Sequence, residues 1–488
     1  MKKQSDSLNL PTKQQLNIQL AKVLRKDFFL FLKYYWDVII PEDPIWNWHI
    51  PYLCKELQTM AERVIKREKS EYDLIVNIPP GSTKSTIATV MFPLWCWIND
   101  PSMRFITGSY SQSLSIDHAQ LSRDILRSEK FMSVFPELIL RDDKDQKQNY
   151  GNAFGGERMT TSVGGSSTGK HAHMIIIDDP INPKEAMSDT ERDNANRWLD
   201  LTLSTRKVDK SVTPTILIMQ RLHEDDCTGH MLAKKGKSVK HICLPATKEI
   251  NIRPIELGVK YVDNMLDPIR LSHEVLDGLK LDMGSYGYAG QMLQSPAPLE
   301  GGLIKGDWFT YVDRDKLPYE LVPSYYSDTA YGKEQSDNSA TMCYSVRDGV
   351  LYVLDMWVVN LGLPEFKEGM VKFLIATNYS ARGIIRLEPK ATGISVVQEM
   401  KTMKDSNGSL YNVVEAKTPK DSKITRVQSI LPFIEAGKVC LVKAPWNDAF
   451  VSECKQFPNG VHDDQVDTLS AVIDIEINNS YEVNIGFV

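Results

Sequence analysis

Four short apolar runs in the first half of the chain, Leu74 to Ile78, Phe105 to Ser109, Met174 to Ile177 and Thr215 to Met219, are separated by segments long enough for helices, such as Ser113 to Arg127. Strands that are apolar along their whole length must be covered on both faces. The pattern therefore predicts an α/β unit built on a mainly parallel sheet. A second series starts near Tyr325: Ser324 to Tyr326, Ala340 to Val346, Val350 to Trp357 and Gly383 to Leu387, then a helix-compatible stretch from Gly393 to Met403 and a closing segment after Asp463. Two of these runs meet at Arg347-Asp348-Gly349, and Asp-Gly is a strong hairpin signal, so the second sheet is expected to be mixed. Residues 14 to 35 read as helical.

At 488 residues the chain allows about three domains or two large ones. The pattern favours two. An N-terminal unit is expected over 1–247, a connector rich in Pro and Gly over 248–312, a second unit over 313–476 and a tail over 477–488. Lys+Arg 57 against Asp+Glu 63 gives a formal charge of -6, which excludes a wholly basic surface but not a local basic groove. The apolar stretch Phe28 to Ile40 is broken by Lys33 and Asp37, and no run of about 18 apolar residues suggests a membrane span. Met1 to Thr12 lacks the order of a secretory signal, so a cytoplasmic protein is expected. The seven cysteines form no Cys-x-x-Cys pair and are expected to be buried thiols.

Directly after Leu74 to Ile78 comes Pro79-Pro80-Gly81-Ser82-Thr83-Lys84-Ser85-Thr86, followed by a helix-compatible stretch, Ile87 to Trp97. Strand, tight loop, Lys-Ser and helix form the context of a phosphate-binding loop. Backbone N–H groups from Gly81 to Thr86 would hold phosphate oxygens of ATP, Lys84 would reach the terminal phosphates and Ser85 would ligate Mg²⁺. Ile78 and Thr83 stand where that motif usually has Gly. A second strand end, Ile177-Asp178-Asp179-Pro180, supplies paired carboxylates. There Asp178 would hold the magnesium shell and Asp179 would polarise the attacking water.

In the second half, acids again end apolar runs: Asp328 after Tyr325-Tyr326-Ser327, Glu388 after Ile384 to Leu387, and Asp463, Asp464 and Asp467 at the start of the closing helix. Such a cluster suits two divalent ions about 3.5–4 Å apart acting on a phosphodiester. Asp328, Glu388 and Asp464 are the expected direct ligands for Mg²⁺ or Mn²⁺. Asp467 comes next, three residues from Asp464 and on the same helix face, and Asp463 last, as a cap.

These words together resemble the large subunit of a tailed-phage terminase, over roughly Trp46 to Ile473. The resemblance rests on Pro79-Pro80 before the loop, Ile106 to Ser111, the glycine-rich Ser162 to Gly169, Asp178-Asp179, Ile216 to Gln220, Glu435 to Val439, Trp446 and Phe457 to Gly460 before His462-Asp463-Asp464. It implies an ASCE-type P-loop NTPase followed by a ribonuclease-H-like nuclease. It also implies that Gln220 senses the γ-phosphate, that Trp46 to His49 packs on adenine, and that an arginine finger exists, for which Arg158 is the candidate. The usual catalytic acid of the family is Glu; Asp179 is shorter by about 1.5 Å of reach, and Glu185 is the reserve.

The implied activity is an ATP-driven motor that moves double-stranded viral DNA into a preformed capsid and cuts concatemers at the start and end. Implied partners are the portal protein and a small terminase subunit, with a homo-pentamer on the portal, in the host bacterial cytoplasm, docked on the procapsid and absent from the virion. Lys417, Lys420, Lys423 and Arg426 are candidate phosphate contacts. Two rival readings remain open: a helicase-like translocase with a non-catalytic second domain, and a resolvase- or transposase-like nuclease with an incidental phosphate loop. A structural capsid protein is a more distant third.

Overall fold

The computed structural model describes residues 12–165, 169–249, 251–296, 302–329, 338–388, 393–405, 408–417 and 421–478, with backbone alone at 142–145, 393–396 and 478. Lys420, positions 166–168 of the glycine-rich loop and the tail from 479 lie outside the described residues. The chain divides into two compact units, Met1–Lys280 with Tyr286–Pro298, and Leu281–Ser285 with Leu299–Val488.

The first unit holds an eight-stranded sheet: β1 (Asp73–Asn77), β2 (Arg104–Ser109), β3 (Leu140–Asp145), β4 (Asn149–Asn152), β5 (Glu157–Ser162), β6 (Met174–Asp178), β7 (Thr215–Met219) and β8 (Val239–Cys243), in the order β3-β4-β5-β2-β6-β7-β1-β8. From β5 to β8 every pairing is parallel, while β3 and β4 add an antiparallel edge. The apolar runs became inner strands because both faces are covered: every residue of β6 and β7 is buried. Each such Ile or Leu contributes about 1.5–3 kcal/mol of transfer free energy. β7 lies between β1 and β6 and all three run parallel, so the turn after β1 and the acidic end of β6 lie at the same end of the sheet with a strand between them.

The expected N-terminal helix is two helices, Lys13–Lys26 and Phe28–Ile39. Asp27 breaks it with an extended backbone and caps the second helix by accepting from the Leu30 N–H. Within Ile106 to Ser111, Gly108 is required by packing, since a Cβ there would lie 2.6 Å from the Trp198 ring. The expected connector is less irregular than its sequence suggests. A helix covers His273–Gln291, broken at Gly284 (φ 66), and residues up to 296, apart from 281–285, belong with the first unit.

The second unit carries β9 (Thr310–Val312), β10 (Ser324–Asp328), β11 (Ser339–Arg347), β12 (Val350–Val359), β13 (Ile385–Leu387), β14 (Val413–Glu415) and β15 (Val439–Val442), in the order β14-β13-β10-β11-β12-β15-β9. The β10-β11-β12 meander is antiparallel, and β13 and β14 add parallel to β10. This mixed topology is ribonuclease-H-like. The Asp348-Gly349 turn has positive φ at both residues, 51 and 70, as a tight hairpin needs. All seven cysteines are buried thiols. Among the described residues no helix is long and apolar enough to cross a membrane.

Candidate active sites

β1 runs through buried Leu74, Ile75, Val76 and Asn77 into the Pro79-Pro80 turn, and the loop closes with Gly81 at φ 75 and Thr83 at φ 66. The second value shows why Gly is usual at that position. A β-branched side chain there costs about 1–2 kcal/mol. The Thr83 hydroxyl is held in turn, accepting from Arg270 Nη1 at 3.2 Å, while Arg270 Nη2 donates to the Ile45 carbonyl. Ser82 Oγ donates to the Pro79 carbonyl at 2.7 Å. The helix that follows starts with a π-type turn, Thr86–Met91, and continues as Phe92–Asn99.

His49, fully buried, braces the loop from the other side. Asn47 Nδ2 donates to its Nδ1 at 2.8 Å, and its Nε2 lies 3.2 Å from the Ser82 carbonyl. The neutral tautomer with hydrogen on Nε2 satisfies both contacts. Trp46 packs on Phe29 and Trp36, and Trp48 on Tyr261.

Lys84 is buried and its ammonium meets two other candidate site residues: Asp179 Oδ2 at 3.1 Å and Gln220 Oε1, to which it donates. Asp179 reaches Lys84 despite its short side chain, with its backbone turned to φ 45 and tied by its N–H to the Ile218 carbonyl and by its carbonyl to the Tyr110 N–H, each at 2.9 Å. Burial raises its pKa to about 6, with Asp178 adding to the rise and Lys84 opposing it. Asp178 is 1% exposed. Its Oδ2 accepts from Thr89 Oγ1 at 2.8 Å and lies 3.7 Å from His118 Nδ1, while its Oδ1 is buried without a hydrogen-bond partner. An oxygen in that position suits a cation shell. Thr89 and His118 were not singled out from sequence, where neither belongs to a motif.

Arg158 does not serve as expected. It is 0% exposed on β5, where Nη1 donates to Ser122 Oγ and, at 3.4 Å, to the Tyr150 hydroxyl. It is a core arginine, placed by its strand position against the helix Gln112–Arg127, with Nη2 buried and without a hydrogen-bond partner. The arginine beside the phosphate loop is Arg270, 187 residues from Thr83, which no sequence signal marks. Glu185 is exposed in the short turn Glu185–Met187.

In the second unit, Asp328 ends β10 and Glu388 follows β13, its parallel neighbour, with the Glu388 N–H donating to the Ser327 carbonyl at 3.0 Å. Tyr326, two residues before Asp328 and so on the same face, donates to Glu388 Oε2 at 3.5 Å. Asp464 opens the helix Asp464–Ile473. Burial, then the negative charges of Asp328, Glu453 and Asp463, raise its pKa to about 6. Asp328 and Asp464 therefore repel each other at one end of the sheet, a tension that a divalent cation relieves, and their oxygens are the hard donors Mg²⁺ and Mn²⁺ prefer. As they stand, no three His, Cys, Asp or Glu side chains among the described residues are close enough to hold an ion, so ligation requires the carboxylates to draw in.

Asp463 does not cap the helix with its side chain. That task falls to Glu453, whose Oε1 accepts from the Gln465 N–H at 2.7 Å. Asp463 and Asp467 are ion-paired instead: Lys423 Nζ lies 2.6 Å from Asp463 Oδ1 and 2.9 Å from Asp467 Oδ2, and Arg426 Nη2 lies 2.8 Å from Asp467 Oδ1.

The buried imidazoles set a pH dependence. Burial lowers the pKa of His49 to about 4, against the opposing pull of the Ser82 carbonyl, and His173 and His241 are lowered to about 4 as well. With folded values below the ordinary 6.5, their stabilisation is complete above pH 6.5 and is lost as pH falls to about 4. Asp179, raised to about 6, pulls the other way over part of this window. The readout is therefore the difference between His49→Gln and the wild type. Calorimetric melting temperatures should fall less steeply from pH 6.5 to 4 in the variant; parallel curves would contradict a buried neutral His49.

The fold and these residues define a class, an α/β unit with a strand, phosphate-loop-like turn and helix on a mainly parallel sheet, followed by a ribonuclease-H-like unit on one chain. Residues 325–475 match the family model described as the terminase RNaseH-like domain. No curated protein matches the chain. Among solved structures, the chain is similar to the large terminase of the thermophilic bacteriophage D6E in complex with ADP, with 13% identity, 87% of this chain and 99% of that one covered and a TM-score of 0.45. It is similar to the HK97 bacteriophage large terminase at 12% identity, covering 88% and 92%, with a TM-score of 0.38. The Mn-soaked human cytomegalovirus terminase nuclease domain matches at 11% identity over 35% of this chain and 92% of its own, with a TM-score of 0.27.

Proposed function

We propose that the chain is the large subunit of a viral DNA-packaging motor: an ATPase that drives double-stranded DNA into a preformed capsid, and a metal-dependent nuclease that cuts concatemeric DNA at the beginning and end of packaging. The observation that carries this reading is the junction of Lys84 with Asp179 and Gln220 in one unit, on a chain whose residues 325–475 match the terminase RNaseH-like family model.

In the ATPase, loop N–H groups and Lys84 bind the phosphates and Ser85 and Asp178 hold Mg²⁺, which when bound neutralises phosphate charge. Asp179, with its pKa moved toward neutrality, orients water and takes its proton. Gln220 trades its contact with Lys84 for the nucleotide. In the nuclease, Asp328, Glu388 and Asp464 hold divalent metal, which supplies Lewis acidity at the phosphodiester. Glu388 is kept in place by Tyr326. A pentameric ring on the portal, a small DNA-recognising subunit as partner, and a site of action in the host cytoplasm on the procapsid complete the proposal.

The test is a pair of assays on the purified chain. ATP hydrolysis should rise several-fold with duplex DNA, and supercoiled plasmid should be cut with Mn²⁺ and left intact with EDTA. Cutting without ATP turnover would favour a resolvase-like enzyme, and turnover without cutting a helicase-like translocase.

A further inference from the structure

We propose that Lys423 is a built-in cation of the nuclease site: its ammonium satisfies Asp463 and Asp467, so neither ligates metal, and its remaining N–H contacts the scissile phosphate. The inference rests on the nuclease reading of the second unit. Lys423 is the first residue of the helix Lys423–Glu435, whose N-terminus is fixed by Ser422 accepting from the Thr425 N–H at 3.2 Å. From that anchor Nζ reaches Asp463 Oδ1 at 2.6 Å and Asp467 Oδ2 at 2.9 Å.

Arg426, one turn on, takes the other oxygen of Asp467 at 2.8 Å and donates to Ser470 Oγ at 3.3 Å. Both oxygens of Asp467 thus face nitrogen cations, and its side chain is only 6% exposed. A metal ion would have to displace two charge-assisted contacts and leave a part-buried guanidinium without its carboxylate, a costly exchange. An ammonium has three N–H donors; two are used by Asp463 and Asp467. The third is left for a further acceptor, at the helix start where Asp464 stands beside Asp463 in sequence. Lys423 is half-exposed, which leaves it accessible to a phosphate oxygen.

The experiment is Mn²⁺ binding to the full chain without nucleotide, followed by electron paramagnetic resonance, with Asp328→Asn as the reference lacking the nuclease ions. Asp463→Asn and Asp467→Asn should bind as many Mn²⁺ ions as the wild type, with affinity within twofold. Lys423→Met should gain one Mn²⁺ equivalent and cut plasmid at least tenfold more slowly, and Lys423→Arg should keep the wild-type stoichiometry. Loss of an ion in Asp463→Asn, or unchanged stoichiometry in Lys423→Met, would overturn the inference. Mn²⁺ binding and cutting unchanged in Asp328→Asn would instead overturn the nuclease reading itself. Asp463 is the more exposed of the two acids, so its variant keeps the test decisive if Asp467→Asn does not fold.

Discussion

Lys84→Ala is expected to lower ATP turnover about 10²–10³-fold, the usual cost of removing one preorganised charge donor from a developing anion. ADP binding should weaken at the same time. The reason lies in what the ammonium already touches: buried Lys84 stands 3.1 Å from Asp179 and donates to Gln220, so one group links the phosphate loop, the acid after β6 and the residue after β7. Its removal takes away the cation that opposes the upward pKa shift of Asp179. That acid would then titrate above its present value of about 6.

Lys84→Met separates charge from packing, because it keeps an unbranched apolar stem. Phosphate release and ADP titration are the measurements. Both variants should be impaired alike if charge is the cause, and hydrolysis at the wild-type rate in both would remove the nucleotide site from this loop. Plasmid cutting with Mn²⁺ and no ATP should persist, since Asp328, Glu388 and Asp464 lie in the other unit.

The strands were legible because burial on both faces leaves continuous apolar runs, and the hairpin because Asp348-Gly349 accepts positive φ. The acids were legible because each ends a run, at Asp178, Asp328 and Glu388. Partners contributed by distant segments were not. Arg270 meets Thr83 across 187 positions, and the pairing of Lys423 with Asp467 depends on two helices meeting at their first turns. Arg158 misled because composition cannot distinguish a core arginine from one at a phosphate. Only its place on β5, fully buried against Ser122 and Tyr150, decides that. The helix break at Asp27 was hidden because apolar spacing continues across it, while the capping contact to Leu30 overrides the periodicity.

Asp464→Asn is expected to abolish metal-dependent cutting, by about 10³-fold or more, and to make the metal-free protein more stable. The two effects have one cause. Burial and the neighbouring negative charges raise the Asp464 pKa from 3.8 to about 6, so at neutral pH its ionised form opposes folding. The sign is fixed by linkage: a raised folded value favours the folded state fully below pH 3.8, and that advantage is lost as pH rises through about 6. A neutral amide escapes this loss. Because the group is part-exposed and solvent screens it, the gain should be about 1 kcal/mol at pH 7.5 in EDTA. It should vanish near pH 4, where Asp464 itself is protonated. Asp328→Asn relieves the same repulsion and should likewise stabilise the metal-free protein while losing activity. Urea titrations at the two pH values decide the matter. Equal stability of Asp464→Asn and wild type at pH 7.5, or a gain that persists unchanged at pH 4, would mean that the carboxylates at the ends of β10 and the closing helix do not share one electrostatic site.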